Sequence, residues 1–519
     1  MNPIARAWRI RRWELAAGAA ILGFAVLAAR FWHPFYGFTK FLQFDSSDEV
    51  LAIHEVRGQP IYFYAGNNGY DGFSYAEIAF HPLLDSPELQ RAIGNVPYRA
   101  RRILGSALAW ILARGRPDEI ANVYAGLNLG IWPLLAWLVW RLLAVSDWRG
   151  WMAWAGLLFS AGALHSVRLA LTDLPGVTLF AATMLLLERR RPRAACGALA
   201  LAGLARETAL SGAVVFWRGP WNSPRAWLAN AVRTLGVAAP LIAWLLYVRW
   251  KAGAAPQGVG NFTWPVVGWM EKWAAVWKGF QLQPDFLWLN TTTLLATIAL
   301  TVQAAYLVCR PRWEDPWWRA GAVGVAMLAC FGPSVWEGHP GAATRVLLPM
   351  SLCFAVRAVR QRAGVAWLIA GNLSVCSGVL ALWNVPRDAS ELAAGRADGM
   401  AYLVRLESGW YGCEQGPHHQ WAWTAGEGRL ALRTAPEAAA SRRGRLGLRA
   451  LSPRMVEIRQ GGELLWRGPV GTKLQWVDLA RVAGGRSELE FSSDQPGVPE
   501  NDAPGARRLG FAVYDVQFE

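Results

Sequence analysis

A succession of apolar runs, punctuated by short basic clusters, constrains this 519-residue chain more than any other feature. It opens with Arg6, Arg9, Arg11 and Arg12 and then runs apolar from Leu15 to Ala29. That length also suits a signal peptide, but no small-residue cleavage site follows, and Arg30-Phe31-Trp32 reads as an interfacial anchor. The expectation is an uncleaved helix with its basic end in the cytoplasm. Further spans are expected at Val123–Leu143, Trp151–Leu171, Leu174–Leu187, Ala226–Val248, Phe286–Val308, Ala320–Trp336, Val346–Val356 and Gly364–Trp383. A helix needs about 20 apolar residues to cross the hydrocarbon core, so Leu174–Leu187 and Val346–Val356 would need tilt or help from flanking residues.

Composition agrees. Apolar residues make up 54% and charged residues 17%, too little charge to cover a soluble protein of this size, and the 31 Trp suit bilayer interfaces. A formal charge of +15 raises the question of nucleic acid. Much of it, however, lies in Arg189-Arg190-Arg191-Pro192-Arg193, Arg310/Arg312/Arg319 and Arg357/Arg360/Arg362, clusters that mark the cytoplasmic side of a membrane protein. Nucleic acid is not needed to explain the charge. The six cysteines show no ligand spacing, so neither a zinc site nor a redox pair is supported.

One segment breaks the pattern. Ala194–Trp217 is long enough to span but carries Arg206-Glu207 in its middle. Two half-helices that dip in and return would place this pair where irregular backbone is tolerated, buried in protein or lining water. The expectation is nine crossings plus one broken element, with the C-terminus outside. From about Arg396 the pattern changes to period two, in the runs Arg445–Leu451, Met455–Arg459, Glu463–Trp466, Leu474–Leu479, Glu488–Phe491 and Leu509–Phe518. Gln460-Gly461-Gly462 is a hairpin signal. The organisation read from the chain is a polytopic α-helical membrane domain over residues 1–394, with a large outer loop at 34–102. An extracytoplasmic antiparallel β-sandwich follows over residues 395–519.

The outer loop holds the densest chemistry. Tyr70-Asp71-Gly72-Phe73-Ser74-Tyr75 is either a turn, since Asp and Gly tolerate turn dihedrals, or a carboxylate held beside aromatic faces that suit a sugar. Asp45, Asp48 and Glu49 form a looser acidic group, read as solvated loop ahead of a site. Arg99, Arg101 and Arg102 stand on the side that should be poor in Arg, where they serve either lipid headgroups or a phosphate. Arg345 is expected outside at the start of a helix, as a second phosphate ligand. His165, Arg168 and Asp173 fall near the outer ends of adjacent spans, where a structural ion pair is the first reading. Arg206-Glu207 is either a buried pair that stabilises the broken helix or part of a binding site.

Taken together these motifs resemble a known family. Tyr70-Asp71-Gly72, Tyr98-Arg99-Ala100-Arg101-Arg102-Ile103-Leu104, Leu204-Ala205-Arg206-Glu207-Thr208-Ala209 and Arg345-Val346-Leu347-Leu348-Pro349 occur in the order seen in bacterial GT-C-type membrane glycosyltransferases associated with cell-surface glycopolymers. The similarity covers roughly residues 35–360. It implies a GT-C-like fold in the bacterial inner membrane, with Asp71 as general base of an inverting transfer. The implied donor is a polyprenyl-phosphate sugar, whose phosphate is held by basic residues, and the acceptor is a cell-surface glycan or glycolipid. Many members carry Gln after the Asp-Gly pair where this chain has Phe73. No Asp-x-Asp pair is present, so a divalent metal lacks support and no cofactor is expected. Gly409-Trp410-Tyr411, Trp421-Ala422-Trp423 and Leu509–Asp515 are similar to β-sandwich (jelly-roll-like) modules of polysaccharide-assembly proteins, which implies a carbohydrate-binding role. Two other readings compete: a glycolipid flippase using the same outer Arg residues, and a non-catalytic scaffold that binds glycan through Trp410, Tyr411, Trp421 and Trp423. For those four aromatics, core packing is the simpler role.

Overall fold

The computed structural model describes residues 3–57, 59–66, 69–219, 223–254, 260–435, 442–503 and 505–518. The side chains of residues 3–11, with the cluster Arg6, Arg9 and Arg11, and of Asp48 lie outside that description. Contacts divide the chain into a helical unit, Met1–Phe31 with Phe38–Val385, and a sheet unit, Trp32–Gly37 with Pro386–Glu519.

Among the described residues of the helical unit, five helices are long and apolar enough to cross a membrane: Arg12–Ala29, Pro117–Leu143, Pro224–Ala252, Pro284–Val308 and Val365–Trp383. Four other expected spans are shorter helices. Trp151–Leu171 is divided into Trp148–Leu158 and Ala161–Arg168, because the Ser160 hydroxyl accepts from the Ala163 amide and starts a new helix. Asp173–Glu188, Pro316–Cys330 and Leu348–Arg360 have 16, 15 and 13 residues. At 1.5 Å per residue, 16 residues reach only about 24 Å. The segment with the charged pair does break: helix Pro192–Ala205 ends at Arg206, which is extended, and a 3-10 helix follows over Glu207–Phe216. At its end the Val214 carbonyl accepts from the Trp217 amide, and Arg319 donates to the Val214, Val215 and Trp217 carbonyls.

The segment between the first two long helices is a folded element that shares the core of the helical unit. A short parallel pair, Phe44–Asp45 with Phe63–Tyr64, stands beside helices Gly72–Phe80, Leu89–Ile93, Val96–Arg99 and Ile103–Leu112. Phe41, Phe44, Ile53, Tyr75 and Ile78 are buried in the same apolar cluster as the long helices. Asp45 folds back onto Ser47, accepting from its amide and hydroxyl at 2.9 and 2.8 Å.

The sheet unit has a six-stranded and a five-stranded antiparallel sheet. Along the first, the order is Glu463–Val470, Arg454–Gln460, Arg486–Ser493, Glu427–Ala435, Met400–Leu406, Glu391–Ala397. Along the second it is Gln475–Val482, Arg442–Ala450, Phe511–Phe518, Gln420–Thr424, Trp410–Gln415. Val404, Leu432 and Ile458 of one sheet share a single buried cluster with Leu446, Val477 and Val513 of the other. The expected hairpin is present: Gln460 pairs with Glu463, and Gly461 and Gly462 both take positive φ, 56° and 85°, as a type I′ turn requires. Trp423 is buried, Trp410 packs on Phe491 with ring centroids 5.7 Å apart, and Trp421 stacks on Tyr514 at 5.4 Å. Of the four proposed stacking residues, Tyr411 is the one whose ring is exposed. His33, in the segment that joins this unit, bonds through Nε2 to the Glu391 carboxylate at 2.9 Å.

Candidate functional site

Asp71 heads the helix Gly72–Phe80, and its carbonyl accepts from the Ser74 amide at 3.1 Å. The Asp-Gly pair is therefore a helix start. Gly72 is needed for close packing, since a Cβ there would stand 2.4 Å from the Leu169 carbonyl oxygen and 2.9 Å from that of Leu42. The Asp71 carboxylate is 35% exposed and receives Arg99 Nη2 at 3.1 Å. Arg99 is aimed by a capped turn: the Asn95 side chain accepts from the Tyr98 amide, with Pro97 in the first turn. Its guanidinium also donates to the Ile93 carbonyl and lies 5.7 Å from the Phe73 ring centroid.

Arg102 is buried and fully engaged. Nε and Nη2 each meet a Glu207 carboxylate oxygen at 3.0 Å, and Nη1 donates to the Tyr75 hydroxyl at 2.6 Å. Burial pushes the Tyr75 hydroxyl up to about 12, so it stays neutral beside the guanidinium. This fork ties the first loop to the broken helix. Arg206 and Glu207 thus do not pair with each other. Arg206 Nε lies 2.8 Å from Asp173 Oδ1, and Arg345 Nη1 lies 3.6 Å from Asp173 Oδ2. These contacts are ionic, since neither Asp173 oxygen accepts an aligned hydrogen bond among the described residues. Asp173 therefore pairs with Arg206 and Arg345, outside the group of His165, Arg168 and Asp173 in which an ion pair was expected, and Arg168 donates to the Tyr64 hydroxyl at 3.0 Å.

Arg345 reaches one residue further. Its Nη2 donates to the Tyr70 hydroxyl at 2.5 Å, with the guanidinium 5.2 Å from that ring centroid. Tyr70, Arg345, His165, Glu337 and His339 line a cavity of about 340 Å³. His165 Nδ1 bonds to the Ala161 carbonyl at 2.9 Å. Asp71 is not among the lining residues, though its neighbour Tyr70 is. The network consists of three groups, Tyr70 with Arg345, Asp173 and Arg206, Asp71 with Arg99, and Tyr75 with Arg102 and Glu207, which adjoin through the chain neighbours Tyr70-Asp71 and Arg206-Glu207. It leaves out Arg168, and Arg101, whose guanidinium lies 5.3 Å from the Tyr98 ring centroid.

A second cavity of about 630 Å³ shares the Glu337-Gly338-His339 wall and contains no residue singled out from the sequence. Lys272 anchors that wall, donating to the Trp336 and Gly338 carbonyls at 2.9 Å each. Burial pushes its ammonium down to about 8. Thr293 holds the His339 ring at 3.0 Å, and burial lowers that imidazole. Glu337 and His339 stand in the loop just before the helix Ala343–Val346 that carries Arg345 and could have been chosen on that ground, whereas nothing in Trp269-Met270-Glu271-Lys272-Trp273 marks Lys272 for its position. Among the described residues, no three His, Cys, Asp or Glu side chains gather as a metal site. No family model, no curated protein and no solved structure matches this chain.

Proposed function

We propose that this membrane protein is an inverting glycosyltransferase of GT-C type, moving a sugar from a polyprenyl-phosphate donor to a glycan or glycolipid acceptor at the outer face of a bacterial inner membrane. One observation carries the reading: the Tyr70-Asp71 segment has a carboxylate paired with Arg99 on one side and a hydroxyl bonded to Arg345 at a cavity wall on the other. A base and two guanidiniums in adjoining positions are what this displacement needs. Asp71 takes the proton of the acceptor hydroxyl, whose oxygen attacks the anomeric carbon. The bond from that carbon to the phosphate oxygen breaks, and the electron pair leaves with the phosphate, where Arg99 and Arg345 stabilise the growing charge. Arg102, engaged by Glu207 and Tyr75, serves as a strut. In this reading the two-sheet unit is an extracytoplasmic, jelly-roll-like module that binds glycan.

Glu337 is the competing carboxylate, because it lines both cavities while Asp71 lines neither. The test uses purified protein in lipid nanodiscs with polyprenyl-phosphate hexose and pentose donors, scoring glycosylated product by mass. Transfer lost in Asp71→Asn and kept in Glu337→Gln supports the assignment. The opposite pattern moves the base to Glu337. A lipid-linked sugar that changes leaflet without changing mass would replace the transferase with a flippase.

A further inference from the structure

Helix Val267–Leu282, before the helix Pro284–Val308, is turned inside out for a protein in water. Helix Val267–Leu282 buries Gly268, Lys272 and Val276, and Lys272 is only 6% exposed. Its opposite face presents Met270 and Trp277, 63% and 69% exposed. The apolar surface continues along the chain on both sides, through Trp264 at 82% before the helix and Trp288 at 79% after it. Trp288 belongs to the helix Pro284–Val308, itself long and apolar enough to cross a membrane, so this surface runs on into one that already calls for lipid. At 100° per residue, Glu271 and Lys278 fall on one stripe beside the buried line, and Met270, Ala274 and Trp277 on the far side, interrupted by Gln281. Glu271 and Lys278 also line the 630 Å³ cavity, so the charged edge of the helix borders the cavity and the apolar face points away from it.

A surface rich in exposed Trp, flanked by two membrane-length helices and backed by a charged edge, has the chemistry of a bilayer interface, where the indole ring is buried and its N–H stays wet. We infer that helix Val267–Leu282 lies in the plane of the membrane interface, with Trp264, Met270, Trp277 and Trp288 set into lipid. The partner of this face is the bilayer. The larger cavity is then bounded on one side by an element embedded at the lipid surface, which puts Lys272 and Lys278 at headgroup depth. The inference stands apart from the transferase proposal, since it concerns where the helix lies and not what is turned over.

Hydroxyl-radical footprinting of the unmodified full chain in phosphatidylglycerol/phosphatidylethanolamine nanodiscs tests it, because Trp and Met are reactive and radicals made in water reach few side chains held in lipid. Trp476 of the sheet unit, 39% exposed, is the internal reference. Trp264, Met270, Trp277 and Trp288 should oxidise about tenfold more slowly than Trp476 despite their greater exposure. Oxidation as fast as Trp476 overturns the inference. Protection seen in discs holding two copies and lost in discs holding one would make the face a contact between copies and overturn it equally.

Discussion

The Tyr70 hydroxyl and the Arg345 guanidinium meet at 2.5 Å although 275 residues separate them. The bond lies in one wall of the smaller cavity and fixes the middle of the 34–102 loop to the late helical segment. Arg345 also lies near the buried Asp173, so the two changes differ in cost. Tyr70→Phe keeps the ring over the guanidinium and should destabilise by about 1 kcal/mol. Arg345→Ala removes both the bond to Tyr70 and the contact with Asp173, which keeps Arg206, and should destabilise by about 1 to 3 kcal/mol. Unfolding midpoints in detergent micelles check the order.

Asp71 and Arg99 are both partly exposed, and a pair of that kind contributes at most about 1 kcal/mol. Asp71→Asn should therefore leave unfolding nearly unchanged. As a general base it should matter far more to rate, with transfer falling about 10² to 10⁴-fold. Equal losses of stability and turnover would show that Asp71 acts only as a support.

Gly72 has carbonyl oxygens of Leu169 and Leu42 where a Cβ would go. Backbone atoms cannot rotate away, so Gly72→Ala should cost about 1 to 3 kcal/mol as overpacking. Gly126, in the helix Pro117–Leu143, has nothing within 4 Å of its would-be Cβ. Gly126→Ala is the matched control, with no loss expected.

Lys272 gives a pH signature. Its ammonium is pushed down to about 8 from 10.5, so between those values the unfolded chain binds more protons than the folded one. Stability from this group is lowest below pH 8, where the buried amine is charged, and rises through the window. The rise is roughly 3 kcal/mol at about 1.4 kcal/mol per pH unit. Lys272→Met removes it. Unfolding of the two proteins at pH 7.5 and pH 10 should show the wild type gaining on the variant; parallel curves would mean that the amine keeps its ordinary affinity for protons.

Much of the architecture was legible in residue patterns. Runs of apolar residues marked the five long helices, and alternation marked the later strands, because burial on one side of a helix or sheet imposes a period. Met400–Leu406 escaped that reading: five consecutive buried residues carry no alternation. Trp151–Leu171, expected as one span, is two helices because a single serine cap outweighs apolar continuity. At the site, Tyr70, Asp71, Arg99, Arg102, Glu207 and Arg345 were all visible as charged or aromatic residues in unusual places, but their partners were not. The ion pair expected among His165, Arg168 and Asp173 is replaced by Asp173 with Arg206 and Arg345, because sequence distance says nothing about which guanidinium reaches a buried carboxylate.

By itself the sequence determined that this chain has membrane-length apolar helices, a two-sheet C-terminal region and Arg gathered in short clusters between apolar runs. Only the tertiary structure decided that Glu207 belongs to Arg102, that Asp173 is shared by Arg206 and Arg345, and that Lys272 faces inward while Trp277 faces out. The physical reason is that periodicity records burial, a property each element has along its own length. Pairing of charges depends on distances between elements far apart in the chain, and those exist only once the helices have packed.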